Sequence, residues 1–481
     1  MKKTGIALAI LLAAGVAVTG GAWFTGKQLQ AVIDDKIAEA NEELARQLPG
    51  SEVRLTLASL ERGVFSSQAR YQIALGELAA DLPASELVLI EHIEHGPLPL
   101  SRLSSLQLLP VMAYSQARLE ENPLTASLFE MSQGAEPLTL NTTLGYDQSA
   151  QVAVNVAPLQ FATSELTFGF SGFAGEFEGS TEIIRGNARF DRLELAAQGA
   201  QAANVSLHDF RLDMDRAKGA AGVFLGEQSA RIARMEMNWP GMAPLALNDI
   251  GMRDHISQTA DLLSAEFVSH VGEVTYAGNP LGSLHMDWSA RDLNAAAVKE
   301  LTDLAARYVD TLEMDPEQTD LSPAQEEQLM ASLHALLASK PTLSLDRLSL
   351  KTANAETRLS IAAGLNQPQD DELTPQEAIR QVLSSLEVQL DLPKDTIRDL
   401  VGYKALFDPS LDPQEVTMEA TMTAEMASDM AVGMQLASLD GETIKCRLSY
   451  ANDEVTFNGT TQSLDEFLAG LGMLFSGVEN E

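Results

Sequence analysis

Val271-Gly-Glu-Val-Thr-Tyr276 and Leu284-His-Met-Asp-Trp288, separated by the turn residues Gly278-Asn279-Pro280, read as two strands. The same period-2 alternation runs outward from them. Val152, Val154 and Val156 alternate with smaller or polar residues, as do Leu166, Phe168 and Phe170. Gly172, Gly175 and Gly179 punctuate the stretch that follows. Leu193 to Ala197, Val205 to Leu212 and Ile232 to Trp239 extend the pattern. Alternation of this kind marks an antiparallel sheet half buried on one face. Towards the N-terminus, Val53, Leu55 and Leu57 alternate. Arg62-Gly-Val-Phe-Ser-Ser67 reads as a turn into a strand through Tyr71, Ile73 and Leu75, and Leu87 to Ile90 gives a further strand. Towards the C-terminus, Leu343 to Lys351, Leu359 to Ala363 and Leu386 to Leu392 are strands. Ile444, Cys446, Leu448 and Tyr450 share one face of a strand that pairs with Val455 to Asn458 across Asn452-Asp453.

Helical sequence interrupts this pattern. Leu29, Val32, Ile33, Ile37, Ala40 and Leu44 follow a 3.6-residue period until Pro49-Gly50 stops it. Leu100 to Met131 is mixed, with helical parts. Asp292 is placed to cap a helix running to about Leu312. Ser322-Pro323, Thr374-Pro375 and Asp412-Pro413 each have the cap-then-proline form of a helix start. Helical sequence also runs from Asp395 to Leu406. Ser463 and Glu466 have capping-box spacing before a last helix to Phe475. The expected fold class is α+β and β-rich: an N-terminal transmembrane helix, then an elongated, mainly antiparallel β body with packed and inserted helices. Four segments follow: 1–26, a cytoplasmic tip and anchor; 27–50, a juxtamembrane helix; 51–291, a β-rich region; and 292–481, a mixed region continuing the same body.

The anchor reading rests on Lys2 and Lys3, followed by an uncharged run from Thr4 to Gly26. Its apolar part, Gly5 to Trp23, has the length that spans a bilayer core. The two lysines place the N-terminus in the cytoplasm. A cleaved signal peptide is the rival reading, but Trp23 and Phe24 suit an interfacial aromatic belt and favour retention. The chain carries a net charge of −36, which repels nucleic acid and anionic lipid headgroups, so no nucleic-acid partner is expected. A single cysteine, Cys446, excludes an internal disulfide and reads as a small core hydrophobe.

No residue pattern demands chemistry. In Glu91-His-Ile-Glu-His95 the histidines are three apart, on opposite faces of a strand, and the zinc-protease spacing of four is absent. No Gly-x-Ser-x-Gly elbow or phosphate loop occurs. The sequence therefore calls for no catalytic residue, no metal and no cofactor. One periodic feature stands out. Met418, Met422, Met426, Met430 and Met434 recur at every fourth residue and fall on one helical ridge. Two readings follow: a pliable apolar surface for a lipid or partner helix, or a helix packed on the sheet.

Thr19-Gly-Gly-Ala-Trp-Phe-Thr-Gly-Lys27, Arg62-Gly-Val-Phe-Ser-Ser-Gln68, His95-Gly-Pro-Leu-Pro-Leu100 and Tyr450 to Gly459 with Ser463 to Phe467 resemble the YdgA-like family of uncharacterised bacterial inner-membrane proteins. The resemblance makes Arg62, Gly63, Phe65, His95, Gly96, Pro97 and Pro99 structural motif residues. It implies a single-pass protein of the Gram-negative inner membrane with its bulk in the periplasm. The expected function is a non-catalytic binding or scaffold module of the cell envelope. Its expected partners are the inner membrane and either an envelope protein or a second copy joined through the juxtamembrane helix. A looser similarity to AsmA-like proteins implies the alternative, a lipid-handling protein whose apolar β-groove shelters phospholipid. A lipid handler needs a continuous apolar face left open. A scaffold covers that face with its own helices.

Overall fold

A computed structural model describes residues 51–76, 85–104, 106–147, 149–199, 202–314, 321–370 and 373–476, with positions 34, 37, 38, 40–42, 44 and 45. The expected anchor over 1–26 lies outside these residues. Among the described residues no helix is long and apolar enough to cross a membrane. The chain divides into two compact units, Met1–Lys218 with Ala306–Asp320, and Gly219–Ala305 with Leu321–Glu481.

The first unit contains β1 (Arg54–Arg62), β2 (Ser66–Ala74), β3 (Glu86–His95), β4 (Ala113–Leu119), β5 (Leu138–Leu144), β6 (Ala150–Val156), β7 (Leu159–Ala162), β8 (Leu166–Phe170), β9 (Phe173–Gly179), β10 (Ile183–Ala197) and β11 (Asn204–Lys218). The strands pair antiparallel in the order β1-β2-β3-β4-β5-β6-β9-β10-β11. The β7–β8 hairpin pairs with the second half of β10. The mixed stretch Leu100 to Met131 holds two short helices, Leu100–Ser104 and Ala126–Met131, and also β4, which the sequence reading did not separate. β5 was likewise unread: Leu138, Leu140 and Leu144 alternate cleanly, but Thr142 breaks the apolar count.

Alternation in β1 to β5 builds one apolar face. Leu55, Ala69, Tyr71, Ile73, Leu87, Leu89 and Ile93 are fully buried there. The helical positions between 34 and 45 cover this face, with Ala40 and Leu44 buried against it. Ile37, Ala40 and Leu44 of the helical stripe thus pack inside the chain. Asn41 does a further job. Its Oδ1 accepts from Leu55 N at 2.7 Å and its Nδ2 donates to Leu55 O at 2.9 Å. The free edge of β1 is thereby paired by a side chain that imitates a neighbouring strand. Asn41→Ala is expected to leave both groups of Leu55 without a partner and to destabilise the protein by about 1–3 kcal/mol, measured by chemical denaturation.

The second unit contains β12 (Phe224–Asn238), β13 (Leu245–Thr259), β14 (Leu262–Tyr276), β15 (Asn279–Asn294), β16 (Thr342–Lys351), β17 (Glu356–Leu365), β18 (Leu383–Pro393), β19 (Ser438–Asp440), β20 (Thr443–Ala451), β21 (Glu454–Phe457) and β22 (Thr460–Ser463). They pair antiparallel in the order β12-β13-β14-β15-β16-β17-β18-β20. β19 and β21 share the far edge of β20, and β22 follows β21. β15 runs to Asn294, past the boundary read at 291, and a helix follows it. The helix Ala295–Met314 is capped by Asn294, whose Oδ1 accepts from Ala297 N at 2.9 Å, and not by Asp292. Asp292 instead takes a left-handed conformation, φ +58°, where β15 carries an extra residue. Capping boxes form at Ser322 and Thr374 before the helices Pro323–Ala338 and Pro375–Val382. Ser463 and Glu466 close a third before the helix Leu464–Ser476.

Candidate functional site

The register of the second sheet sorts its residues into an apolar face and a polar face. Across one row of neighbours run Ile232, Ile250, Val271, Leu284 and Leu350. A second row runs Met286, Leu348, Leu359, Leu390 and Cys446. A third runs Phe267, Trp288, Leu345, Ile361, Val388 and Leu448. The extra residue in β16 at Asp346 keeps Leu345 and Leu348 on the same side despite their odd spacing.

On the other face, Gly251, His270, His285, Ser349, Arg358 and Asp391 form one row. Charges there are paired within the sheet. His285 Nε2 lies 2.6 Å from Asp287 Oδ1, and Arg347 Nε donates to Asp287 Oδ2 at 3.2 Å. The Arg358 guanidinium and the Ser349 hydroxyl hold the Glu356 carboxyl down at about 2. Ser349 in this row is itself buried, its hydroxyl donating to Glu356 Oε1 at 2.6 Å.

The apolar face is covered at one corner only in part. There Leu386, Leu448, Tyr450, Val455 and Phe457 pack with Ile379, Leu464, Phe467 and Leu468 from the helices Pro375–Val382 and Leu464–Ser476. Over β13 to β16, Met252, Leu284, Trp288 and Leu343 are 43–47 % exposed. Large apolar side chains aligned across several strands and left open to solvent cost free energy unless something else covers them. The first unit repeats the theme on a smaller scale. Val152, Phe177, Gly186 and Met214 are cross-strand neighbours, and Phe190 stacks on Phe210 with centroids 5.0 Å apart. A Cβ at Gly186 would lie 2.4 Å from Phe177 Cδ1, so glycine makes room for the ring to lie across the sheet.

The methionine ridge is not a core element. The helix Pro413–Gly433 buries Val416, Ala420, Ala424 and Ser428, and it packs chiefly on the helix Lys394–Gly402 rather than on the sheet. Small residues at those positions let the two helices approach closely. Lys394 Nζ reaches Glu425 Oε2 at 2.6 Å and Arg398 reaches Glu425 Oε1 at 3.1 Å, tying the pair together. Met418, Met422, Met426, Met430 and Met434 point outward and are 38–65 % exposed. Met434 lines a cavity of about 670 Å³ with Leu436, Phe457 and Phe467. Replacing Met418, Met422 and Met426 by Gln is expected to shift stability by no more than about 0.5 kcal/mol each, read as melting temperature, because nothing of the core is removed.

The motif residues of the first unit fall together. Gly63 N–H donates to Ser66 O at 2.7 Å, closing the β1–β2 turn, and a Cβ at Gly63 would lie 2.6 Å from that same oxygen. Phe65 sits at the turn's exposed tip. Ser67 Oγ and His95 Nε2 are 2.8 Å apart, and burial followed by the neighbouring His92 lowers the His95 imidazole below its ordinary value. Gly96 adopts φ +94° to lead into Pro97 and Pro99. Arg62 ends β1. His92 lies on the opposite face of β3 from His95, and Glu94 accepts from Ser101 N and Oγ at 2.9 and 2.7 Å. Among the described residues no three His, Cys, Asp or Glu side chains are grouped to hold a metal ion. Cys446 is half-buried on the apolar face, and burial pushes its thiol up.

The model of the bacterial proteins of unknown function called DUF945 matches residues 1–465. The chain belongs to the DUF945 family. It is 25 % identical to Protein YdgA of Escherichia coli (strain K12) over 98 % of this chain and 97 % of that protein. Uncharacterized protein YihF of the same organism is 21 % identical over 97 % of this chain and 98 % of its own length. An uncharacterized protein of Haemophilus influenzae is 29 % identical over 34 % of this chain and 44 % of its own length. No solved structure matches. Family membership thus extends over both units and bears out the resemblance read from the motifs.

The sequence reading named the methionine ridge and the motif segments as notable, but it did not single out Met252, Leu284, Trp288 and Leu343 as a surface. The signal was present in part. Leu284 and Trp288 stood in a recognised strand, yet alternation alone does not say whether a face is covered.

Proposed function

We propose that this DUF945 protein is held at the bacterial inner membrane by its N-terminal run and shelters the acyl chains of lipids on its open apolar sheet face in the periplasm. The single observation that carries the reading is the continuity of apolar residues across β12 to β18 on one face, with Met252, Leu284, Trp288 and Leu343 exposed over β13 to β16. A face built for a soluble scaffold would carry helices over that region. Extended acyl chains match the need for a long, shallow, non-directional apolar surface. We read the activity as binding or transfer of lipid without chemistry.

Trp288 provides the test. In the full chain with Trp23 and Trp239 replaced by Phe, phospholipid carrying brominated acyl chains is expected to quench Trp288 fluorescence. Quenching no greater than that of free tryptophan would refute the reading.

The methionine ridge supports a second reading, docking of a protein partner on the helix Pro413–Gly433. The two separate experimentally: the Gln variants at Met418, Met422 and Met426 leave lipid quenching intact if the ridge serves a partner alone.

A further inference from the structure

The first unit carries an exposed apolar cluster away from the sheet face. Val64 and Phe65 form the tip of the β1–β2 hairpin, and Leu100, Leu106, Leu108 and Leu109 lie on the β3–β4 connection. They are 64–86 % exposed. The hairpin tip adjoins the start of the connection. His95 N–H donates to Phe65 O at 2.8 Å, and the connection closes at its base through Val111 N to Pro97 O at 3.0 Å. Within the connection, Gln107 N donates to Arg102 O at 2.9 Å and Ser101 is held by Glu94. The leucines are therefore presented outward by a built loop.

Charge marks the same region. In a chain with 68 acidic residues, none occurs between Arg62 and Gly76 or between His95 and Leu119. The two segments carry no acid of their own, and the neighbouring Glu94 carboxylate is taken up by Ser101, which suits a phosphate-bearing interface that the rest of the body repels.

The path of the chain gives the direction. Asn41 is fixed beside Leu55 near the start of β1. Ile37, on the N-terminal side of Asn41, packs against the same core as Leu57 and Leu60, the residues of β1 nearer its far end. That is the end bearing the hairpin tip. Residues 25–33, which separate Phe24 from the described helical positions, reach at most about 30 Å.

We propose that the hairpin tip and the β3–β4 connection seat this end of the first unit in the interfacial layer of the phospholipid bilayer from which the chain rises. The proposal rests on the anchor reading given under Proposed function. The first unit is then oriented by two attachments and cannot swing freely on a single tether.

The test uses the full chain in vesicles of phosphatidylethanolamine and phosphatidylglycerol. An environment-sensitive NBD label is placed at Leu108→Cys in a Cys446→Ser background, with Glu182→Cys as the reference site. The Leu108 label is expected to emit to the blue of the Glu182 label and to be quenched by lipids carrying a nitroxide near the headgroup. Alkaline extraction of the same vesicles reports the anchor separately. A Leu108 label that stays aqueous while the protein resists extraction overturns the proposal and leaves the anchor standing. A quenched label on a protein that extraction releases supports the contact and removes the anchor. An aqueous label on a released protein defeats both.

Discussion

Glu91→Gln is expected to stabilise the protein above neutral pH and to leave it nearly unchanged at about pH 4.5. Glu91 is fully buried in the core of the first unit, 0 % exposed, opposite Ala69 and Ala117. Burial raises its carboxyl from 4.5 to about 7, even though the Ser115 and Tyr71 hydroxyls beside it draw the value down. The Tyr71 hydroxyl donates to Glu91 Oε2 at 2.8 Å. The same burial, with the adjacent carboxyl, pushes the Tyr71 phenol far up, so it remains a donor throughout the accessible range.

A group whose folded value lies above its unfolded value favours the fold when protonated. Its contribution is fully present below about pH 4.5 and is lost as the pH rises through about 7. A shift from 4.5 to about 7 corresponds to about 3 kcal/mol of pH-dependent stability. Gln keeps an oxygen for Tyr71 and carries no charge to desolvate. The wild type should therefore fall below the variant by up to about 3 kcal/mol at about pH 8.5, with the two curves meeting on the acid side. Denaturant melts of both proteins across this range check the prediction. A wild type that gains stability relative to the variant between about pH 5 and 8 would show that Glu91 is ionised and well paired in the fold.

The second large effect concerns the open face. Met252→Glu, Leu284→Glu and Leu343→Glu combined should abolish acyl-chain binding while leaving the fold intact. Each position is 43–44 % exposed, so a carboxylate there keeps its water in the unliganded protein. Against an acyl chain, the same carboxylates would be desolvated without a partner, and each adds at least about 1–2 kcal/mol to the cost of binding. Together they should lower affinity by roughly a hundredfold or more. The measurement is phospholipid co-purifying with the full chain, quantified by mass spectrometry, beside a melting curve. Unchanged lipid content in the variant would place the lipid elsewhere.

Much of the fold was legible because the strands state their period. Val152 to Val156 and Leu386 to Leu392 alternate so plainly that strand and face follow together. Caps were equally readable: Ser322, Thr374, Asp412 and Ser463 all cap where their spacing places them. Reading failed where bulges disturb the period. β13 contains Asp249 at φ +55° and was not recognised, and the bulge at Asp292 moved the helix cap to Asn294.

The candidate site was less legible than the strands that form it. Whether Leu284 and Trp288 are core or surface depends on what packs over them, and that is decided by residues far away in sequence. The methionine ridge shows the same limit. Spacing of four placed Met418 to Met434 on one ridge. Only the burial of Val416, Ala420 and Ala424 against the helix Lys394–Gly402 shows that this ridge faces out. The anchor remains a reading of Lys2 to Gly26, outside the described residues.

The central claim is that the apolar sheet face holds acyl chains. Its most direct test is photo-crosslinking of the full chain, in its native membrane, to phospholipid bearing a diazirine near the acyl terminus. Crosslinks are expected on peptides containing Met252, Leu284 to Trp288 and Leu343. Labelling confined to the N-terminal run and the loops Val64–Phe65 and Leu100–Leu109, with the sheet face unmarked, would contradict the claim.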